Sequence, residues 1–145
     1  MRYRLGGALI LVVAACLAAC SPGPSVYTTV LNDGRSQVTV TLTDATGKVR
    51  SIDFVRPVPD WAFQPHPGQF PTTNDGPNTV WTTWVGGLCP TDVHIRAQSS
   101  ADGIDLELDP GKKCDSDVGK VRVLAIHFTE AVPAESVRVL ETAAP

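Results

Sequence analysis

The chain predicts an all-β fold: a single β-sandwich of about seven to eight short strands, held by one disulfide. Two observations carry most of that prediction. Short runs alternate apolar residues with threonines, as Val38, Val40 and Leu42 do with Thr39, Thr41 and Thr43, the pattern of a half-buried strand. Turn residues punctuate these runs at regular intervals, and helical periodicity is almost absent beyond residue 25. A third observation is the pair Cys89 and Cys114, an even number of thiols in a chain whose start reads as an export signal.

The strands follow in order. Residues 27–31 end at Asn32-Asp33-Gly34, a turn signal, and residues 37–43 form the alternating strand described above. Asp44-Ala45-Thr46-Gly47 turns the chain into a strand over residues 48–55. After a long interruption come strands at residues 79–85, 92–98, 104–108, 121–128 and 137–140, rich in Val and Thr.

One hairpin can be given a register. Val93, Ile95 and Ala97 share one face, as do Ile104, Leu106 and Leu108, and both sets can face one core only if paired residue numbers have an odd sum. A turn at Ser100-Ala101-Asp102-Gly103 gives pairs such as Ile95 with Leu108, and Cys89 with Cys114 has the same sum. The two cysteines thus lie near the mouth of that hairpin, where Pro90 and Pro110 bend the chain. With twenty-four intervening residues they read as a structural disulfide rather than a metal or redox pair. Closing a loop of that size contributes about 3–4 kcal/mol in the chain-entropy account.

Residues 121–128 are apolar on both faces, with Val121, Val123 and Ala125 on one and Leu124, Ile126 and Phe128 on the other. A central strand covered on both sides has this pattern, and His127 within it reads as a partnered histidine. The next segment, Phe128-Thr129-Glu130-Ala131-Val132-Pro133-Ala134-Glu135-Ser136-Val137, resembles the turn before the last strand in bacterial immunoglobulin-like modules, although Ala131 stands where that phrase usually has proline. The resemblance covers about ten residues and implies an immunoglobulin-like sandwich. It carries no activity, because such sandwiches host unrelated functions.

The first nineteen residues read as an export signal: Arg2 and Arg4, an apolar run, then Leu17-Ala18-Ala19 before Cys20. The apolar stretch of residues 5–19 falls short of the roughly 20 residues needed to span a bilayer. Leu17-Ala18-Ala19-Cys20 resembles the lipobox of bacterial lipoproteins; Cys16 is a competing site, but Leu17 favours Cys20. The resemblance implies cleavage before Cys20, lipid on its sulfur and acylation of the new amino terminus, the palmitate-type double anchoring that holds a protein stably on a membrane. The expected organisation is therefore a signal peptide at 1–19, a lipidated Pro/Gly/Ser linker at 20–25 and a sandwich domain at 26–145, outside the cytoplasm in the cell envelope. Without Arg2 and Arg4, ten Lys and Arg stand against fifteen Asp and Glu, a formal charge of −5. That balance argues against nucleic acid as a partner and against electrostatic adhesion to anionic lipid.

No catalytic constellation is legible. There is no Gly-x-Ser-x-Gly elbow, and acids such as Asp105 and Glu107 alternate outward on a strand. Asp109, Asp115 and Asp117 share the loop 109–119, but Lys112 and Lys113 interrupt them, and a polar loop held by Cys114 is the simpler reading. His94 alternates outward alone, so neither metal nor cofactor is expected.

Residues 56–78 stand out. They hold Pro57, Pro59, Pro65, Pro67, Pro71 and Pro77 together with Trp61, Phe63 and Phe70. Long structureless connections are uncommon in compact domains. One expectation is a lid packing Trp61 and Phe63 over an open end of the sandwich; the other is a binding loop with at least one ring in solvent. Trp81 and Trp84, three apart on a strand, face opposite sides, one anchoring the core. The candidate binding surface is Trp61, Phe63, His66, Phe70, Trp81 and Trp84. The expected function is an envelope-anchored, non-enzymatic binding module for an envelope protein or polymer. The alternatives are a hydrolase of envelope polymer acting through an Asp/Glu pair, and a structural accessory subunit.

Overall fold

The structure, a computed structural model, describes residues 23–32, 34, 36–64, 70–111 and 119–142. Its strands are β1 (Ser25–Asn32), β2 (Gln37–Asp44), β3 (Val49–Phe54), β4 (Thr72–Asn74), β5 (Thr79–Gly86), β6 (Thr91–Ser100), β7 (Gly103–Asp109), β8 (Lys120–Phe128) and β9 (Val137–Glu141). Two single 3-10 turns, Asp60–Phe63 and Ala134–Ser136, are the helical elements among the described residues. No helix there is long and apolar enough to cross a membrane.

The strands form two sheets, β1-β2-β6-β7-β9 and β3-β8-β5-β4. They share one core: Val38, Val40, Leu42, Val93, Ile95, Ala97, Leu106 and Leu108 from the first meet Ile52, Val80, Trp84, Leu124, Ile126 and Phe128 from the second. Alternation is what makes this possible, since every second residue of each strand reaches the same face. The β6–β7 hairpin has the register the sequence predicts, with Ile95 opposite Leu108 and Ala97 opposite Leu106. Its turn needs glycine: Gly103 has φ +147°, and a Cβ there would overlap the Ser136 carbonyl.

Eight strands lie where the sequence places them; β4 is additional. Three residues caught between Pro71 and Pro77 are too few to show a period of two, and they form an edge strand only because β5 offers a partner. β1 begins at Ser25, the last residue of the expected linker. Residues 1–22, with the expected signal, Cys16 and Cys20, lie outside the described residues.

Strand directions divide the sandwich into two ends. The start of β1, the turns joining β2–β3, β4–β5 and β6–β7, and the β8–β9 connection gather at the turn end. The β1–β2, β3–β4, β5–β6 and β7–β8 connections and the finish of β9 gather at the other, the loop end.

Candidate functional site

The long connection after β3 first runs along the second sheet. Val55 N donates to Val123 O at 2.9 Å, extending the ladder for one residue. After Pro59 the chain closes a 3-10 turn, Ala62 N donating to Pro59 O at 3.0 Å and Gln64 N to Trp61 O at 3.2 Å. With about three residues per turn, neighbouring side chains fan apart. Ala62 is buried and Trp61 half-buried, whereas Phe63 is 61% exposed. The turn lies against β8, and Val123 and Ala125 on that outer sheet face are buried.

The expected lid is therefore corrected in one respect: the turn reaches the loop end, where Ala62 lines a cavity with Trp84 and Leu108 of the two sheets, but Phe63 is not packed there. Phe70 is half-buried against the core, and the three rings are divided between packing and solvent. His66 lies outside the described residues. Trp84 is the core anchor at 2% exposure, its ring centroid 6.0 Å from that of Phe54 at a 44° tilt. Trp81 is half-buried on the outer face, opposite Thr73 and Ala125.

Between the loop and the sheet ends is a cavity of about 270 Å³, lined among others by Ala62, Gln64, Phe70, Trp84, Leu108 and Glu141. Phe63 falls between two of those lining residues, and Val85, exposed, lines the cavity as well. Leu88 adds a further exposed apolar side chain to the loop end.

The same end holds a residue the sequence reading passed over. Arg122 occupies an inward position of β8, two before Leu124, and is 1% exposed. Its Nη2 donates to Gly87 O at 2.8 Å, while Nε and Nη1 have no partner among the described residues. Burial pushes the guanidinium pKa down from its ordinary value. The signal was available: Leu124, Ile126 and Phe128 define the inward face, and the same parity continues to 122.

The acids are largely engaged. Glu107 accepts from Arg96 Nη1 at 3.0 Å and Gln98 Nε2 at 2.7 Å, and Asp109 Oδ1 accepts from Gly111 N at 2.9 Å. Both line a polar groove of about 410 Å³ on the first sheet, beside His94 and Arg96. His127 is partnered, as its sequence environment predicts. Its Nδ1 is 3.0 Å from Thr79 Oγ1 and its Nε2 is 3.4 Å from Asp53 Oδ2. This hydroxyl–imidazole–carboxylate row spans β5, β8 and β3, so only the sheet pairing could reveal it. It lines neither cavity above, and Asp53 is exposed, so the row lacks the enclosed geometry of nucleophilic catalysis.

Among the described residues no group of three or more His, Cys, Asp or Glu side chains could hold a metal ion. Asp115, Asp117, Lys112, Lys113 and Cys114 lie outside the described residues. Cys89 follows β5 at the loop end and is half-buried. No known protein family, curated protein or solved structure matches the chain.

Proposed function

We propose that this chain is a lipid-anchored envelope protein, held by Cys20 outside the cytoplasm, that acts as a non-enzymatic binding module through its loop end. The observation that carries the reading is Phe63: a large apolar ring left in solvent by a hydrogen-bonded turn, next to a cavity lined by Phe70 and Trp84. A rigid aromatic offers contact area at small entropic cost, and loops on a stable scaffold are where binding residues concentrate. The partner expected at that end is an envelope protein or polymer.

An immunoglobulin-like module is supported by the position of residues 128–137, which join the last two strands as the resembling phrase does. A Cys89–Cys114 disulfide is supported by the bonded state of Cys89 and by the β6–β7 register. A hydrolase working through an Asp/Glu pair has less support, because Glu107 and Asp109 are both tied into hydrogen bonds.

The test pairs Phe63→Ala with Trp84→Ala in the full chain. Exposed Phe63 should be replaceable within about ±0.5 kcal/mol, whereas Trp84→Ala should cost about 3–5 kcal/mol. Capture from native membranes should lose its partner with Phe63→Ala while the melting temperature holds. Undiminished capture by that variant would refute the binding surface. Release of Cys20→Ala from membranes tests the anchor separately.

A further inference from the structure

Among the described residues the sandwich has four edge strands, and three are protected against pairing with another chain. β3 carries Arg50 and Asp53, both exposed, and a register shift between Val49 and Ser51. β4 is three residues long. β9 has five residues, among them Arg138 and Glu141. Charges, irregularities and shortness are the usual means of blunting a free edge.

β1 has none of them. Its eight residues, Ser-Val-Tyr-Thr-Thr-Val-Leu-Asn, contain no charge, proline or glycine, and its pairing with β2 is unbroken throughout. The inner face is fixed: Leu31 is buried, and Tyr27 Oη donates to Val49 O at 2.6 Å. The outer face presents Val26 at 61% exposure, Thr28 exposed, and Val30 at 47%. A long, neutral, β-branched edge with apolar side chains in solvent is built to receive another strand.

We infer that the occupant is β1 of a second copy, paired antiparallel about Thr28. Three features select this partner and this register. About a two-fold axis at Thr28 the outward residues Val26, Thr28 and Val30 meet like with like, so no apolar side chain is set against a polar one. Neutrality lets the strand meet itself without like-charge repulsion. The open stretch is itself centred on Thr28. Pro24 precedes it on one side, and on the other the Asn32 carbonyl is already taken by Arg56 Nη2 at 3.2 Å, leaving residues 25–31.

In this register Val26 faces Val30 of the other copy twice on the outer face, and Thr28 faces Thr28. Directly opposed β-branched and Thr–Thr pairs are favourable cross-strand neighbours. Because opposed residues have the same parity, the two inner faces become continuous, and the first sheet extends from five strands in each copy to ten across the pair. The inference does not depend on the loop-end reading, since it uses only the lateral edge of β1; antiparallel pairing points the loop ends of the two copies in opposite directions.

Cysteine scanning of the full chain, purified in detergent and oxidised with copper phenanthroline, tests it. Directly opposed Cβ atoms lie about 4.5–5.5 Å apart, near the spacing a disulfide needs. Thr28→Cys alone should give a linked dimer as its major species. Val26→Cys alone and Val30→Cys alone should not, while a mixture of the two should link to each other. Asp92→Cys, exposed on a central strand, controls for chance collisions and for the native cysteines. Thr28→Lys should convert a wild-type dimer into monomer with no loss in melting temperature below the dissociation range. A monomeric wild type, no Thr28 linkage, or linkage by Val26→Cys alone would overturn the proposal. So would a Thr28→Cys adduct to a different protein without dimer, which would assign the edge to a foreign strand.

Discussion

The two ends of this sandwich are built on different principles. At the turn end, side chains tie separate strands together. Asp44 is buried and its carboxylate accepts from Thr46 N at 2.8 Å, Thr46 Oγ1 at 2.6 Å and Val49 N at 2.9 Å, fixing the β2–β3 turn. Asn74 works similarly, with Nδ2 donating to Val132 O at 2.8 Å and Oδ1 accepting from Ala134 N at 2.7 Å, so β4 holds the β8–β9 connection. At the loop end, by contrast, the described residues include a cavity, exposed Phe63, Val85 and Leu88, and a buried arginine with two unpartnered nitrogens. The turn end spends its polar groups on holding the fold. The loop end leaves Phe63, Val85 and Leu88 in solvent close to a cavity, which is the condition for a surface that binds something else.

Removing one buried polar group from each end should cost stability unequally, with the larger loss at the turn end. Asp44→Ala strips three acceptor contacts and leaves the Val49 amide without its partner. Hydrogen bonds to a charged group contribute about 1.5–3 kcal/mol each, with strong overlap among the three, so a loss of about 2–4 kcal/mol is expected by denaturant titration. A loss under about 1 kcal/mol would show that the turn is held by backbone geometry alone.

Arg122→Met is the matching experiment at the loop end. It keeps a long side chain, removes a desolvated cation and leaves Gly87 O as the one deprived acceptor. Replacing a buried charge by an apolar group of similar size is often neutral or stabilising by about 1–4 kcal/mol, and the lost carbonyl partner offsets part of that. The expected change lies within about 1 kcal/mol of zero, or is a gain. A cost as large as that of Asp44→Ala would mean that Arg122 organises its surroundings and that the two ends are alike.

The turn end was also the more legible in sequence, for a physical reason. Asp44-Ala45-Thr46-Gly47 and Ala101-Asp102-Gly103 act within a few residues of themselves, so composition fixes them. Alternation placed the strands and the inward faces, and the odd-sum rule recovered the β6–β7 register from opposing apolar sets. It could not reveal that β2 runs parallel to β6 and β7 parallel to β9, because parity is the same for either direction. The loop end depends on events sequence does not encode locally. Whether Trp61 or Phe63 turns inward follows from the phase of one 3-10 turn against β8. The turn end had one hidden feature of its own, the Asp53–His127–Thr79 row, which exists only through the order of three strands. Arg122 was legible by parity, but a lone charged residue at the start of a strand carries no period of its own.

The smallest expected effect lies on the outer surface of the first sheet and depends on pH. Arg138 on β9 grips Asp105 on β7 with two bonds, Nε to Oδ1 at 2.9 Å and Nη2 to Oδ2 at 3.0 Å, and Asp102 stands 3.7 Å from Nη1. The side-chain hydrogen bonds from Arg138, with its charge adding to them, hold the Asp105 carboxyl below its ordinary value of 3.8. A carboxyl depressed in the folded chain binds its proton more readily when unfolded. Its contribution to stability is therefore present above pH 3.8 and fades as pH falls through the lower, folded value. The pair is solvent-screened, so the contribution is slight and salt-sensitive. Melting curves of the wild type and Arg138→Gln should differ a little at neutral pH and converge in acid, with the neutral-pH gap narrowing in high salt. A gap that persisted unchanged into acid would show that Arg138 acts through packing of its stem along β7 rather than through charge, and the turn end would owe that strand pairing to shape alone.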